Sequence, residues 1–221
     1  MADKKTRAPF RTLVNILVLL VFLQAIRWFL VSRIGSDVQV NAQLSQTAAF
    51  IVLSALCALL LALARFWRIK LYLLPAFTSS KDRVMYIAVA CFTVFVLLLS
   101  PMKTGDFSVA AIVGLMYTGV IIPAFEEFVF RGYVWARLRK SFKPEITVCM
   151  LTALLFAVWR AGYGDMWLFE QAFSAVDFTM AVVTNAVLGL TVGLINGFAR
   201  LLSKNCVPGL LLHIMLAAVL Q

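Results

Sequence analysis

The chain is expected to be an all-α polytopic membrane protein, a bundle of about seven transmembrane helices with its N-terminus inside. Three observations point there. Of its 221 residues 63% are hydrophobic, against roughly 45–50% in soluble domains. Its mean hydropathy is +0.96, more apolar surface than a soluble core of this size absorbs. Finally, apolar runs of about 20 residues, the length that spans a hydrocarbon core, recur between short basic loops.

The first run is about Thr12–Val31. It carries Gln24 and Arg27, and Lys4, Lys5, Arg7 and Arg11 precede it. A cleavable signal peptide would have a shorter apolar core followed by a small-x-small site. This run ends in Ser32-Arg33 and reads as a retained span. After a polar linker, the second run is about Thr47–Ala64. It closes on Arg65, Arg68 and Lys70, with Pro75 and Ser79-Ser80 marking a loop. The third, about Arg83–Ser100, is expected to stop at Pro101. The fourth runs from about Phe107 to Phe130 and the fifth from Glu145 to about Arg160. A mixed segment with Gly162, Gly164, Asp165, Glu170 and Asp177 leads to the sixth, about Phe178–Phe198, and the seventh, about Cys206–Leu220. On the sixth, Asn185, Gly189, Gly193 and Gly197 fall four residues apart. On a helix they form a thin stripe that reads as a packing surface, with Asn196 off it.

Charge follows the loops. With the N-terminus inside, all of the 20 basic residues except Arg27, Arg33, Lys103 and Arg160 fall on the inner side. Asp37, Asp106, Asp165, Glu170 and Asp177 fall on the other. The positive-inside rule therefore accounts for the net charge of +10. Nucleic-acid binding is not indicated, because no basic and aromatic groove pattern appears outside these loops. Cys57, Cys91, Cys149 and Cys206 lie in or beside apolar runs without a C-x-x-C pair, so neither a disulfide framework nor a zinc ribbon is expected.

The stretch that resists a purely structural reading is Phe125-Glu126-Glu127-Phe128-Val129-Phe130-Arg131-Gly132. A charged group at membrane depth costs roughly 3 kcal/mol, so a span that keeps three of them needs them. In a helix Glu127 and Arg131 share a face at the spacing and order that favour an ion pair. Glu126 is rotated off that pair. Arg160 and His213, the single histidine, also lie in apolar spans of this half. A glutamate with a histidine is the minimum for activating a water: one takes the proton, the other orients or stabilises charge. There is no H-E-x-x-H helix, G-x-S-x-G elbow or phosphate-binding glycine loop, and one histidine cannot supply the usual zinc set. No metal or cofactor is expected. A carrier using the same ionisable set as a relay would be expected to show an inverted repeat, and none is apparent.

In their order, Glu126-Glu127-x-x-x-Arg131-Gly132, Phe156-x-x-x-Arg160, the Gly189/Gly193 helix and His213-x-x-x-Ala217 resemble the CAAX protease and bacteriocin-processing (CPBP, or Abi) family of intramembrane endopeptidases. The resemblance divides the chain into N-terminal helices and loops, 1–106, and a protease-like domain, 107–221. It implies Glu126 as general base, Glu127 with Arg131 holding and tuning the site, and His213 stabilising the oxyanion. It further implies a peptide substrate in or at the membrane, with lipid as the other partner. Two positions depart from the family pattern: Arg160 stands where it has histidine and Ala217 where it has asparagine. Arginine does not shuttle protons, and beside Glu126 it would weaken that base. Ala217 cannot donate a hydrogen bond. The residues are thus compatible with an endopeptidase in which Arg160 holds the scissile carbonyl, and with a pseudoprotease that binds without turnover. On these span boundaries Arg160 lies toward the outer half of the membrane, away from Glu126 and His213.

Overall fold

The computed structural model describes residues 3–36, 80–163 and 175–219, with scattered helical positions between 51 and 65. Regular structure among these residues is entirely helical. The helices are α1 (Asp3–Ser36), α2 (Ser80–Thr104), α3 (Val109–Ser141), α4 (Glu145–Ala161), α5 (Ala175–Ser203) and α6 (Val207–Val219). Helices α1, α2, α3 and α5 each contain a stretch long and apolar enough to cross a membrane, and α6 is a shorter apolar helix. Most of the expected second span, the linker after Ser36 and the basic residues Arg68 and Lys70 lie outside the described residues.

The molecule is apolar outside and charged inside. Val18, Phe22, Val158 and Leu202 are exposed, whereas Glu126, Glu127, Arg131 and Asn196 are fully buried. In water that distribution would be a liability; in lipid it is the stable one. The protein is an all-α polytopic integral membrane protein.

Helix α2 does not stop at Pro101. It continues to Thr104, whose hydroxyl donates to the Pro101 carbonyl at 3.4 Å. A proline this close to a helix end removes little of the hydrogen-bond ladder. The turn that follows uses Gly105 at φ +68, the left-handed position after a helix. Ser108 then caps α3 by accepting from the Ala111 amide. The Asp106 carboxylate accepts from the Ser108 amide at 2.9 Å, which holds its pKa below the usual carboxylate value.

Helix α3 is the organising element. Its 33 residues would reach about 50 Å as an ideal helix, more than a ~30 Å hydrocarbon core. It therefore runs on past Phe130, and Arg137, Arg139 and Lys140 sit on its emergent end. Two wide π-turns, Tyr117–Ile121 and Phe128–Val134, flank the short α-helical segment that carries Glu126 and Glu127. The first ends just before Pro123, which lacks an amide to continue the ordinary ladder; the Ile122 amide bonds back to the Tyr117 carbonyl.

After a short connection at 142–144, α4 returns antiparallel to α3. Glu126 stands 15 residues before Ser141, and Arg160 stands 15 residues after Glu145. The two are thus level along the hairpin. The apparent separation in depth arose from ending the fourth span at Phe130, 11 residues before the helix ends.

Helix α5 packs closely on α4 through its glycine stripe. A Cβ at Gly193 would lie 3.1 Å from Ala153 Cα, and one at Gly197 would lie 2.7 Å from Cys149 Sγ. Small residues at that spacing let two backbones approach, as the sequence reading anticipated. At the hairpin end Glu145 accepts from Arg139 at 2.8 Å and from Lys204, tying α3 and α4 to the turn that follows α5. Helix α1 closes the bundle. Its Ile16, Leu20 and Leu23 join Phe130, Val134, Leu138, Phe156 and Trp159 in one core, and Thr12 bonds Ser141 at 2.8 Å.

Candidate active site

Consecutive residues on a helix diverge by about 100°. Glu126 and Glu127 therefore face different neighbours, and both face protein. Glu126 points at the end of α4. Its Oε1 accepts from the Trp159 indole nitrogen at 3.2 Å and from Arg160 Nη1 at 3.4 Å. Glu127 points at α5. Its Oε1 accepts from Asn196 Nδ2 at 2.8 Å and pairs with Arg131 Nη1 at 3.2 Å.

His213, on α6, stands between the two carboxylates. Its Nδ1 lies 3.1 Å from Glu127 Oε1 and its Nε2 lies 3.4 Å from Glu126 Oε2. The ring also meets Phe156 edge to face at 5.8 Å. A carboxylate on one nitrogen fixes the imidazole in orientation and supplies a proton acceptor for it.

Arg131 is completely buried. It pairs with Glu127 one turn back, donates through Nη2 to the Gly193 carbonyl at 2.8 Å, and lies 4.7 Å from the centre of the Phe156 ring. It thus pins α3 to α5 by a main-chain bond. Gly209, at the start of α6, allows the Glu127 carboxylate to lie close: a Cβ there would be 3.0 Å from Glu127 Oε2.

Glu126, Glu127, Arg131, Arg160 and His213 therefore converge, and Arg160 does reach Glu126. Ala217 is half-buried one turn beyond His213. Trp159 and Asn196 also belong to the cluster although the sequence reading gave them no part in it. Asn196 carried a signal, a buried-type amide in an apolar helix seven residues before Ser203. The indole of Trp159 carried none, since a tryptophan in a span is ordinary. Among the described residues no group of three or more His, Cys, Asp or Glu side chains is placed to hold a metal ion.

Chemically, the arrangement offers two carboxylates, Glu126 and Glu127, each with one buried oxygen that accepts no hydrogen bond among the described residues. Of the two oxygens Glu126 Oε2 is the one that faces a His213 nitrogen, at 3.4 Å. A buried acceptor without a donor is costly, and such groups in a polar cluster bind water or substrate protons readily.

Gly189 sets Arg160 from behind. A Cβ at 189 would stand 2.6 Å from Arg160 Cβ and 3.1 Å from Ala157 Cα, atoms that cannot swing away. Gly189→Ala is expected to cost about 1–3 kcal/mol of stability through forced separation of α4 and α5. Thermal unfolding of the purified protein checks it, and an unchanged midpoint would show that the two helices part freely.

A family model described as type II CAAX prenyl endopeptidase, Rce1-like, matches residues 107–219, slightly more than half of the chain. Neither the curated proteins nor the solved structures provide a match. The matched region starts two residues before α3 and ends with α6, so it contains every residue of the converging cluster. The chain belongs to the Rce1-like family of type II CAAX prenyl endopeptidases.

Proposed function

We propose that this protein is a glutamate-dependent intramembrane endopeptidase that hydrolyses a peptide bond of a membrane-associated substrate near the cytoplasmic face. The observation that carries the reading is the Glu126 carboxylate, buried, held through one oxygen by Trp159 and Arg160, and facing His213 with the other. Glu126 takes a proton from water. The resulting hydroxide attacks the scissile carbonyl, and the proton passes to the leaving amine. The Arg160 guanidinium and a ring N–H of His213 supply hydrogen-bond donors to the oxyanion that forms. Glu127, Asn196 and Arg131 orient His213 and fix α3 against α5. The domain that does this is 107–221, with 1–106 as N-terminal helices.

The distribution of basic residues supports the N-terminus and the α3–α4 hairpin on the cytoplasmic side, in the plasma membrane if the source is prokaryotic. The family description supports a prenylated peptide as the first substrate to try. Purified protein in liposomes, given a membrane-tethered prenylated peptide, is the test. No cleavage under conditions where an active family member cleaves would sink the reading.

A second reading, a pseudoprotease that binds without turnover, is favoured by the Arg160–Glu126 contact. Its length argues against a locked base. Charge-assisted hydrogen bonds lie at about 2.7–2.9 Å, whereas this one is single and 3.4 Å long. The Arg160→His, Ala217→Asn double variant separates the two. On the primary reading the wild type cleaves within about tenfold of it. On the second the wild type is slower by on the order of 10²–10³, the value of a restored oxyanion donor.

A further inference from the structure

Arg27 is a charge in the first apolar span, far in sequence from the family-matched region, and nothing in the reaction above uses it. The structure shows where it goes. Its Nη2 donates to the carbonyl of Gly162 at 2.8 Å, its Nε donates to Gln24 Oε1 at 3.2 Å, and its guanidinium lies 4.3 Å from the centre of the Tyr163 ring. Gly162 is the cap of α4, two residues beyond Arg160. Gln24 rests directly on Gly162, where a Cβ would meet its amide nitrogen.

Tyr163 carries the connection onward. The Arg160 guanidinium lies 5.1 Å from its ring, and the Trp159 ring meets it edge to face at 6.3 Å. Trp159 and Arg160 are the two residues that hold Glu126 Oε1. One aromatic ring is thus in reach of two guanidiniums, one from α1 and one from the site. The last carbonyls of a helix have no partner within it, and in an apolar surrounding they must find one. Arg27 supplies a donor there, and the helix end supplies an acceptor to a charge that lipid alone would not solvate.

We propose that Arg27 is a positioning residue of the site: from α1 it clamps the Gly162–Tyr163 turn, which sets Trp159 and Arg160 against Glu126. The N-terminal helix is on this account part of the catalytic apparatus, although it lies outside the matched region. The proposal rests on the endopeptidase reading for its kinetic consequence and on the contacts alone for its structural one.

The experiment uses the full-length protein in liposomes with the membrane-tethered prenylated peptide, comparing wild type, Arg27→Ala, Arg27→Lys and Gly162→Ala. Since misplacing a reacting group by about 1 Å costs up to about 10² in rate, Arg27→Ala is expected to lower kcat per folded molecule by about 10–100-fold and to change KM less than about threefold. Arg27→Lys, which keeps one donor and the charge, is expected to recover at least a third of the wild-type kcat. Gly162→Ala, which displaces Gln24, is expected to fall with Arg27→Ala. A kcat unchanged in Arg27→Ala, with only the unfolding midpoint lowered, overturns the positioning role and leaves the endopeptidase reading intact. If the wild type itself cleaves nothing, that reading has failed, and a thermal double-mutant cycle on Arg27→Ala and Tyr163→Leu decides the clamp. Coupled midpoint shifts support it, and strictly additive ones overturn it.

Discussion

Glu126→Gln is expected to slow peptide hydrolysis by about 10²–10⁴-fold, the usual worth of a positioned general base, with little change in KM. The amide keeps the shape of the carboxylate and its contact with the Trp159 indole, so the loss is one of basicity. Glutamine also removes the charge facing Arg160 and His213, which makes unfolding a necessary control. Single-turnover cleavage of a tethered peptide, normalised to folded protein, checks it. Wild-type rates in Glu126→Gln would take the catalytic role away from this residue and leave the cluster as a structural one.

Arg131→Met is expected to be the most destabilising single change in the protein, by about 3–5 kcal/mol, because it leaves the Glu127 charge buried with one partner fewer. It also deletes the bond to the Gly193 carbonyl that joins α3 to α5. Glu127→Gln with Arg131→Met removes both charges, and the double variant is expected to be more stable than Arg131→Met alone. Unfolding midpoints in detergent measure the comparison. If Arg131→Met melts like the wild type, the buried pair contributes nothing and its position must be explained otherwise.

The membrane class and the Glu127–Arg131 pair were legible in sequence because each rests on local rules. Apolar length reports a span, and a spacing of four reports a shared helix face. The convergence of Arg160 with Glu126 was implied by the family resemblance and opposed by the span boundaries. It depends on where α3 ends, and the basic residues Arg137 and Arg139 made Phe130 look like the boundary. A helix that keeps its hydrogen bonds past the apolar slab gives no compositional sign of doing so. The parts played by Trp159 and Asn196 were hidden for another reason. Their significance comes from residues 33 or more positions away, such as Glu126 for Trp159 and Glu127 for Asn196. Arg27 was legible only as a charge within the first span; its partner, Gly162 at the cap of α4, is 135 residues distant.

The charged centre has a consequence for how the chain is made. Domains and spans enter in order of synthesis, N-terminal first. Helix α3 therefore meets the bilayer while α4, α5 and α6 are still unmade. Of its buried charges, Glu127 already has Arg131 one turn away on the same helix, so that pair travels into lipid neutralised. Glu126 has no such companion on α3; Trp159 and Arg160 arrive with the next helix and His213 only with α6. Until α4 is made, Glu126 is the one of these three charges without a partner on its own helix, and the short connection at 142–144 brings the first of its partners soon after it.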